Sequence, residues 1–168
     1  MFVIVMGVTG SGKSTIGKLL ADHLGISFYD ADDFHSSENR TKMAQNVALD
    51  DADRRPWLEL LAKLSVKWEA QGGAVLACSA LKQAYRALLL AQVPNHYLVY
   101  LELTRQGAAL RLEARRGHHE FVRDFDHLLD GQFRDLEPPT DAITISAELS
   151  PAEILERAAA ALSAVSNH

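Results

Sequence analysis

The sequence predicts a doubly wound α/β domain built on a five-stranded, mostly parallel sheet. Three observations lead there. Short uninterrupted apolar runs, the kind a strand buried on both faces needs, recur along the chain. Longer stretches with helical spacing separate them, as the crossovers between parallel strands require. No long linker divides the chain, so its 168 residues are expected to form a single domain, 1–168.

Phe2–Met6 is the first apolar run and ends in Gly7. From Lys13, the residues Ile16, Leu19, Leu20 and Leu24 recur at helical spacing, and Gly25 supplies the stop. Ser27–Tyr29 reads as a short second strand, followed by the acidic stretch Asp30 to Asp33. Pro56 is expected to open a helix with Trp57, Leu60, Leu61, Leu64 and Trp68 on one face, closed by Gly72 and Gly73. Trp57 reads as core. Ala74–Cys78 is the third strand, Lys82–Gln92 a helix, Tyr97–Leu103 the fourth strand and Gln106–Arg116 the next helix. Ala142–Ile145 reads as the last strand. Ser150-Pro151-Ala152-Glu153 is a capping box with Pro at the first helical position, which starts the final helix. Right-handed crossovers make the whole doubly wound, and a ligand then belongs outside the carboxyl ends of the strands.

Composition narrows the function classes. Seventeen Lys and Arg against 22 Asp and Glu leave a net charge of −5, which argues against a general nucleic-acid binder. No apolar run approaches the roughly 18 residues of a membrane span. Met1 to Val8 is apolar, yet no basic residue precedes Lys13, a poor match to a secretory leader. The lone Cys78 cannot form an internal disulfide and fits a reducing compartment, so a soluble cytoplasmic protein is expected. At the end of a buried strand, Cys78 reads as an inert thiol.

Gly7-Val8-Thr9-Gly10-Ser11-Gly12-Lys13-Ser14 matches the P-loop pattern G-x-x-x-x-G-K-[ST] in full. The glycines let backbone N–H groups curl around phosphate oxygens. Lys13 adds a point charge at the outer phosphates, the Ser14 hydroxyl suits Mg²⁺, and the following helix aims its positive end at the same anion. A glycine-rich turn can exist without a ligand, but here it follows a buried strand and opens an amphipathic helix. Gly7, Thr9, Gly10, Ser11, Gly12, Lys13, Ser14 and Thr15 are therefore the expected contacts of ATP, with Mg²⁺ alongside.

Four further polar clusters bear on the acceptor. They are Asp30-Ala31-Asp32-Asp33-Phe34-His35 with Asn39 and Lys42; Asp53-Arg54-Arg55-Pro56-Trp57-Leu58; Cys78-Ser79-Ala80-Leu81-Lys82 with Tyr85-Arg86; and Leu128-Leu129-Asp130-Gly131-Gln132-Phe133 leading to Leu136-Glu137-Pro138. In this combination the chain resembles the gluconate kinases, also called thermoresistant gluconokinases, of the P-loop small-molecule kinases. The resemblance runs from about Val3 to Pro138. It implies ATP-dependent phosphorylation of D-gluconate to 6-phosphogluconate, on a nucleoside-monophosphate-kinase-like fold with a helical lid, usually as a homodimer.

Within that resemblance Lys13, Asp32, Arg111 and Arg115 are the catalytic candidates. Phosphoryl transfer requires an oriented acceptor hydroxyl and an offset for the charge on the moving group. Asp32 is the candidate to orient that hydroxyl and take its proton, and Asp30 to support Mg²⁺ through water, although the two roles can be exchanged at this level. A sugar acid's carboxylate calls for the planar fork of an arginine, first Arg54, with Lys82 and Arg86 as further anion or hydroxyl contacts and His35 and Lys42 toward the polyol. Arg54 could equally serve as a cap or surface salt bridge. The locally basic segment at about 105–125, with Arg111 and Arg115 four apart and Gly117 as a hinge, resembles the lid of these kinases. A solvated basic helix is its plain alternative.

The chain departs from the family pattern at Ala31, Ser36, Asn46, Ala48 and Gly131, and is about three residues longer between His118 and Leu128. His118, His119 and His127 lack Cys partners and zinc spacing, so they are not expected to hold a metal. Three other functions stay open. One is a kinase of the same fold for another sugar acid or a shikimate-like acid. Shikimate kinases carry a Gly-rich turn where this chain reads Ser79-Ala80-Leu81-Lys82. The second is a nucleotide-binding switch without an acceptor. The third, a nucleoside monophosphate kinase, would need a base-recognition motif, and none is evident.

Overall fold

The computed structural model describes residues 1–45, 47–116 and 125–166. Five strands, β1 (Phe2–Met6), β2 (Ser27–Asp30), β3 (Ala74–Ala77), β4 (His96–Glu102) and β5 (Ile143–Ser146), form one sheet in the order β2-β3-β1-β4-β5. Every pairing is parallel, with Phe2 opposite both Ala74 and His96. The predicted sheet is thus present, and wholly parallel.

β1 lies at the centre and is buried along its whole length. Strand alternation sends Val3 and Val5 to one face, where they meet Ile16, Leu20, Ala108, Leu112, Ile154 and Leu162. Phe2, Ile4 and Met6 go to the other, against Trp57, Leu61, Trp68 and Leu89. The first face is covered by α1 (Lys13–Leu24), α5 (Arg105–Arg116) and α7 (Pro151–Ser166), the second by α3 (Asp51–Ala70) and α4 (Gln83–Leu90). Each fully buried large side chain contributes about 1.5–3 kcal/mol by its removal from water.

Three expectations about elements need correction. Pro56 does not open α3, which begins five residues earlier, at Asp51. Asp50 caps it reciprocally with Asp53, accepting from Asp53 N–H at 2.7 Å while Asp53 Oδ2 accepts from Asp50 N–H at 3.2 Å. That box and the helical packing beyond it outweigh the one backbone hydrogen bond that Pro56 removes. Leu60 is 42% exposed, and Leu58 takes its expected place in the core. Two helices were not expected at all, α2 (Ser37–Ala44) and α6 (Phe125–Asp135). α2 is polar on nearly every face and rests on its Ser36 cap, which accepts from Asn39 N–H at 3.1 Å. Before it, Ala31–Phe34 forms a single 3₁₀ turn.

Candidate active site

The sheet brings the carboxyl ends of β1, β2 and β3 together, and the sequence places its polar clusters there. At Gly7 the chain leaves β1 with φ 149°, and a Cβ at this position would lie 2.7 Å from both the Leu101 carbonyl oxygen and Ser11 Oγ. Gly12 caps α1 in the left-handed conformation, φ 93°, with no side chain over the helix end. That end carries the unsatisfied N–H groups and partial positive charge that suit phosphate. Lys13 Nζ donates to the Val8 carbonyl at 3.0 Å, which arches the lysine back over the loop. Thr9 N–H donates to Gln132 Oε1 at 2.6 Å, so α6 holds the loop from outside.

Ser14 Oγ donates to Asp30 Oδ2 at 2.5 Å. A hydroxyl and a carboxylate side by side are hard oxygen donors of the kind Mg²⁺ takes beside a nucleotide, so the pair fits that ion. The other Asp30 oxygen accepts from Asp32 N–H at 3.1 Å and caps the 3₁₀ turn, which fixes where Asp32 stands. Surrounding protein and then the Asp30 charge raise the Asp32 carboxyl above its ordinary 3.8, with His35 and Lys13 pulling the other way. The Asp32 side chain is 74% exposed to the open cleft, so water there moderates the shift.

His35 is buried, its ring stacked on Trp57 at 4.3 Å, and its Nε2 lies 3.9 Å from Asp32 Oδ1. Trp57 in turn donates to the Ala31 carbonyl at 2.8 Å. Trp57 is thus core, and it also forms the floor on which His35 rests. His35 Nδ1 is buried without a hydrogen-bond partner among the described residues. Burial holds this imidazole below its ordinary 6.5, so it is neutral at pH 7 and above, against the opposing pull of Asp32.

The predicted cations line the rim beyond. Arg54 Nη1 donates to the Tyr85 hydroxyl at 3.2 Å and lies 3.6 Å from Asp135. Lys82 Nζ donates to both oxygens of Asp51, at 2.9 and 3.2 Å, and the Tyr85 hydroxyl donates to the same carboxylate. Lys42 donates to Asp53 at 2.6 Å. The His35 ring feels the charges of both Asp32 and Arg54, which ties the rim to the carboxylates at the loop.

Two predicted arginines donate to backbone carbonyls. Arg86 is 6% exposed and donates to the Ala80 and Leu81 carbonyls, each at 2.9 Å. It braces the turn after β3 from within and does not reach for an anion. That turn needs bracing, because Ala80 has φ 44°, a left-handed conformation usually left to glycine. Arg111 donates to the Gly10 carbonyl at 3.1 Å and also to that of Ala147. It joins the backbone of the phosphate loop to the segment after β5, which sets its guanidinium beside the loop. The side chain of Arg115, Gly117, His118, His119 and most of the expected lid extension lie outside the described residues, as does Asn46.

Sequence reasoning missed Gln132, Asp51, Tyr85 and Asp135 as members of the site. Gln132 and Tyr85 stood inside clusters already singled out, but nothing in a linear pattern tells which face of a helix meets the loop. Glu137, from the same cluster as Gln132, is structural. Its carboxylate accepts from Gln83 N–H at 2.6 Å and caps α4. Cys78 is buried and its thiol is pushed up to about 12, which keeps it protonated and inert. Among the described residues no group of His, Cys, Asp and Glu could hold a metal on its own.

The chain is similar to known proteins over most of its length. The family model described as shikimate kinase matches residues 9–160. A probable gluconokinase of Mus musculus is 44% identical over 90% of this chain and 92% of its own length. The gluconokinase of Arabidopsis thaliana is 40% identical, over 91% of this chain and 87% of its own. The crystal structure of a gluconokinase from Sinorhizobium meliloti 1021 superposes with a TM-score of 0.86 at 34% identity, covering 97% of this chain and 91% of that one. A shikimate kinase from Aquifex aeolicus shares the fold alone, at 18% identity and a TM-score of 0.59. With 34–45% identity to gluconokinases and a broader shikimate-kinase-type domain around the same P-loop, the chain belongs to the gluconokinase family.

Proposed function

We propose that this protein transfers the γ-phosphoryl group of ATP to D-gluconate, giving 6-phosphogluconate, as a Mg²⁺-dependent gluconokinase. The observation that carries the reading is the meeting of the phosphate loop with the Asp32 carboxylate and a rim of Lys42, Arg54 and Lys82, in a chain of this family. When bound, Mg-ATP supplies the phosphoryl group and a metal charge to offset its oxygens.

The remaining work falls to the chain. Asp32 orients the terminal hydroxyl of the sugar acid and accepts its proton, and a carboxyl raised above the ordinary range is better matched to that task. Lys13 turns from the Val8 carbonyl to the phosphates, while Ser14 and Asp30 hold the metal, Asp30 through water. Arg54 and Lys82 take the substrate carboxylate, the first through its planar fork. Neutral His35 offers a ring nitrogen to a hydroxyl, and Lys42 contacts the polyol. A homodimer and a cytoplasmic setting are part of the proposal, on the resemblance and the lone buried thiol. No helix among the described residues is long and apolar enough to cross a membrane.

The test is ADP release from Mg-ATP with gluconate, other aldonates, shikimate and nucleoside monophosphates as acceptors. Turnover confined to D-gluconate, with an Arg54→Ala variant raising the gluconate KM about 10–100-fold and leaving the ATP KM in place, supports the assignment. Turnover only with shikimate or another acid overturns the acceptor. Absence of turnover with every acceptor points to a switch.

A further inference from the structure

Each cation on the acceptor rim has a carboxylate of the chain itself as partner: Lys42 with Asp53, Arg54 with Asp135, and Lys82 with Asp51. A sugar acid brings one more carboxylate to this rim, and it must either share these cations or replace a partner. The three partners differ in how firmly they are held. Asp53 is 19% exposed and locked by the α3 capping box, with its second oxygen on Asp50 N–H. Asp135 is 22% exposed. Asp51 is 67% exposed, sits at the first position of α3 and takes no part in the cap.

The contacts of Asp51 are those a bound carboxylate would want. One ammonium and one phenol converge on it, and Arg54 stands close enough to add its charge. An ion pair this open to water gains little, so another anion can take its place. Once released, the Asp51 side chain remains in solvent at the N-terminus of α3, where the helix dipole still favours its charge.

Resting on the gluconokinase reading, we infer that Asp51 is a resident carboxylate that occupies Lys82 and Tyr85 until the carboxylate of the substrate displaces it. It is a specificity-determining residue and not a catalytic one. A neutral polyol has nothing to exchange for it and leaves Lys82 and Tyr85 engaged with Asp51. A sugar acid exchanges one carboxylate for another, and its hydroxyls reach toward Asp32.

Asp51→Asn keeps the shape and removes the competing charge. The expected result is a gluconate KM lowered about three- to tenfold, with kcat and the ATP KM within twofold. Calorimetric binding of gluconate without nucleotide is expected to tighten by the same factor. In a Lys82→Met background the gain from the same substitution is expected to shrink to less than about twofold, because only the Tyr85 hydroxyl is left to compete for. A gluconate KM that rises in Asp51→Asn overturns the inference and makes Asp51 a support for Lys82. An unchanged KM and affinity overturn it too. Thermal unfolding of Asp51→Asn within about 3 °C of the parent excludes a folding artefact, since exposed substitutions cost little. If the parent chain turns over no gluconate, the underlying reading fails and the inference with it. If the parent is active and Asp51→Asn does not bind gluconate more tightly, the inference alone fails.

Discussion

Gln132 accepts a 2.6 Å hydrogen bond from the backbone N–H of Thr9, across 123 residues of chain, and so ties α6 to the phosphate loop. Arg111 of α5 grips the next residue, donating to the Gly10 carbonyl at 3.1 Å. The loop's shape is therefore set from two helices as well as by its own glycines. A bond of this kind is worth about 0.5–1.5 kcal/mol. Gln132→Ala is expected to weaken ADP binding about three- to tenfold by calorimetry, with gluconate affinity unmoved. Equal ADP affinity in the two proteins would show that the loop holds its shape without α6.

Asp32 and Asp30 are coupled through charge, and their roles can be separated by pH. Asp32→Asn is expected to lower kcat about 10²–10⁴-fold with little change in the gluconate KM, as removal of a general base does. Its carboxyl lies above the ordinary 3.8, so the parent's kcat/KM falls on acidification at a higher pH than a free carboxylate would give. Asp30→Asn removes one cause of that rise. The acid limb of its residual activity should move to lower pH. An acid limb that stays in place would mean that Asp32 is not the group being read.

Arg86 supports the strained turn at Ala80 through two 2.9 Å hydrogen bonds. Arg86→Met keeps the buried stem and removes the donors, at an expected cost of about 2–4 kcal/mol. For a chain of this length that corresponds to a melting temperature lower by roughly 5–15 °C. A melting temperature within 2 °C of the parent would assign the turn's conformation to other contacts.

The central architecture was legible because its signals are local. β1 and α1 fall at the residues expected from the apolar run, the P-loop and Gly25, and Ser150 with Glu153 makes the anticipated cap on α7. α2 was not legible, since Ser37–Ala44 carries no apolar stripe for a period to reveal. α6 does carry one, in Phe125, Leu129 and Phe133, but polar residues of a motif interleave with it and hide the face. Of the cations, the sequence gives which residues are present, while partners depend on tertiary contact. Arg54 and Arg86 look alike in the chain, yet one opens to the cleft and the other turns inward to carbonyls.

His35 makes stability depend on pH. Unfolded, its imidazole titrates near 6.5; folded, burial holds it lower, against the opposing pull of Asp32. Above 6.5 both states are neutral and this contribution is fully present. As pH falls below 6.5 the unfolded chain takes up a proton that the folded one refuses, so stability declines until the lower, folded value is passed. His35→Phe keeps the stacking on Trp57 and removes the titration. The parent is expected to lose more melting temperature than the variant between pH 7.5 and 5.0. Parallel losses would show that His35 does not contribute to the acid sensitivity.

The residues proposed to choose the acid, from His35 to Tyr85, form one uninterrupted length of chain, entering after β2 and leaving in the first turn of α4. The phosphate loop lies upstream of that length, on the central strand. Preference for one acid over another can therefore be inherited, or transplanted into a chain of the same fold, as a single cassette that leaves the phosphate loop untouched. Asp135, reaching Arg54 from α6, is the partner that such a graft would have to carry with it.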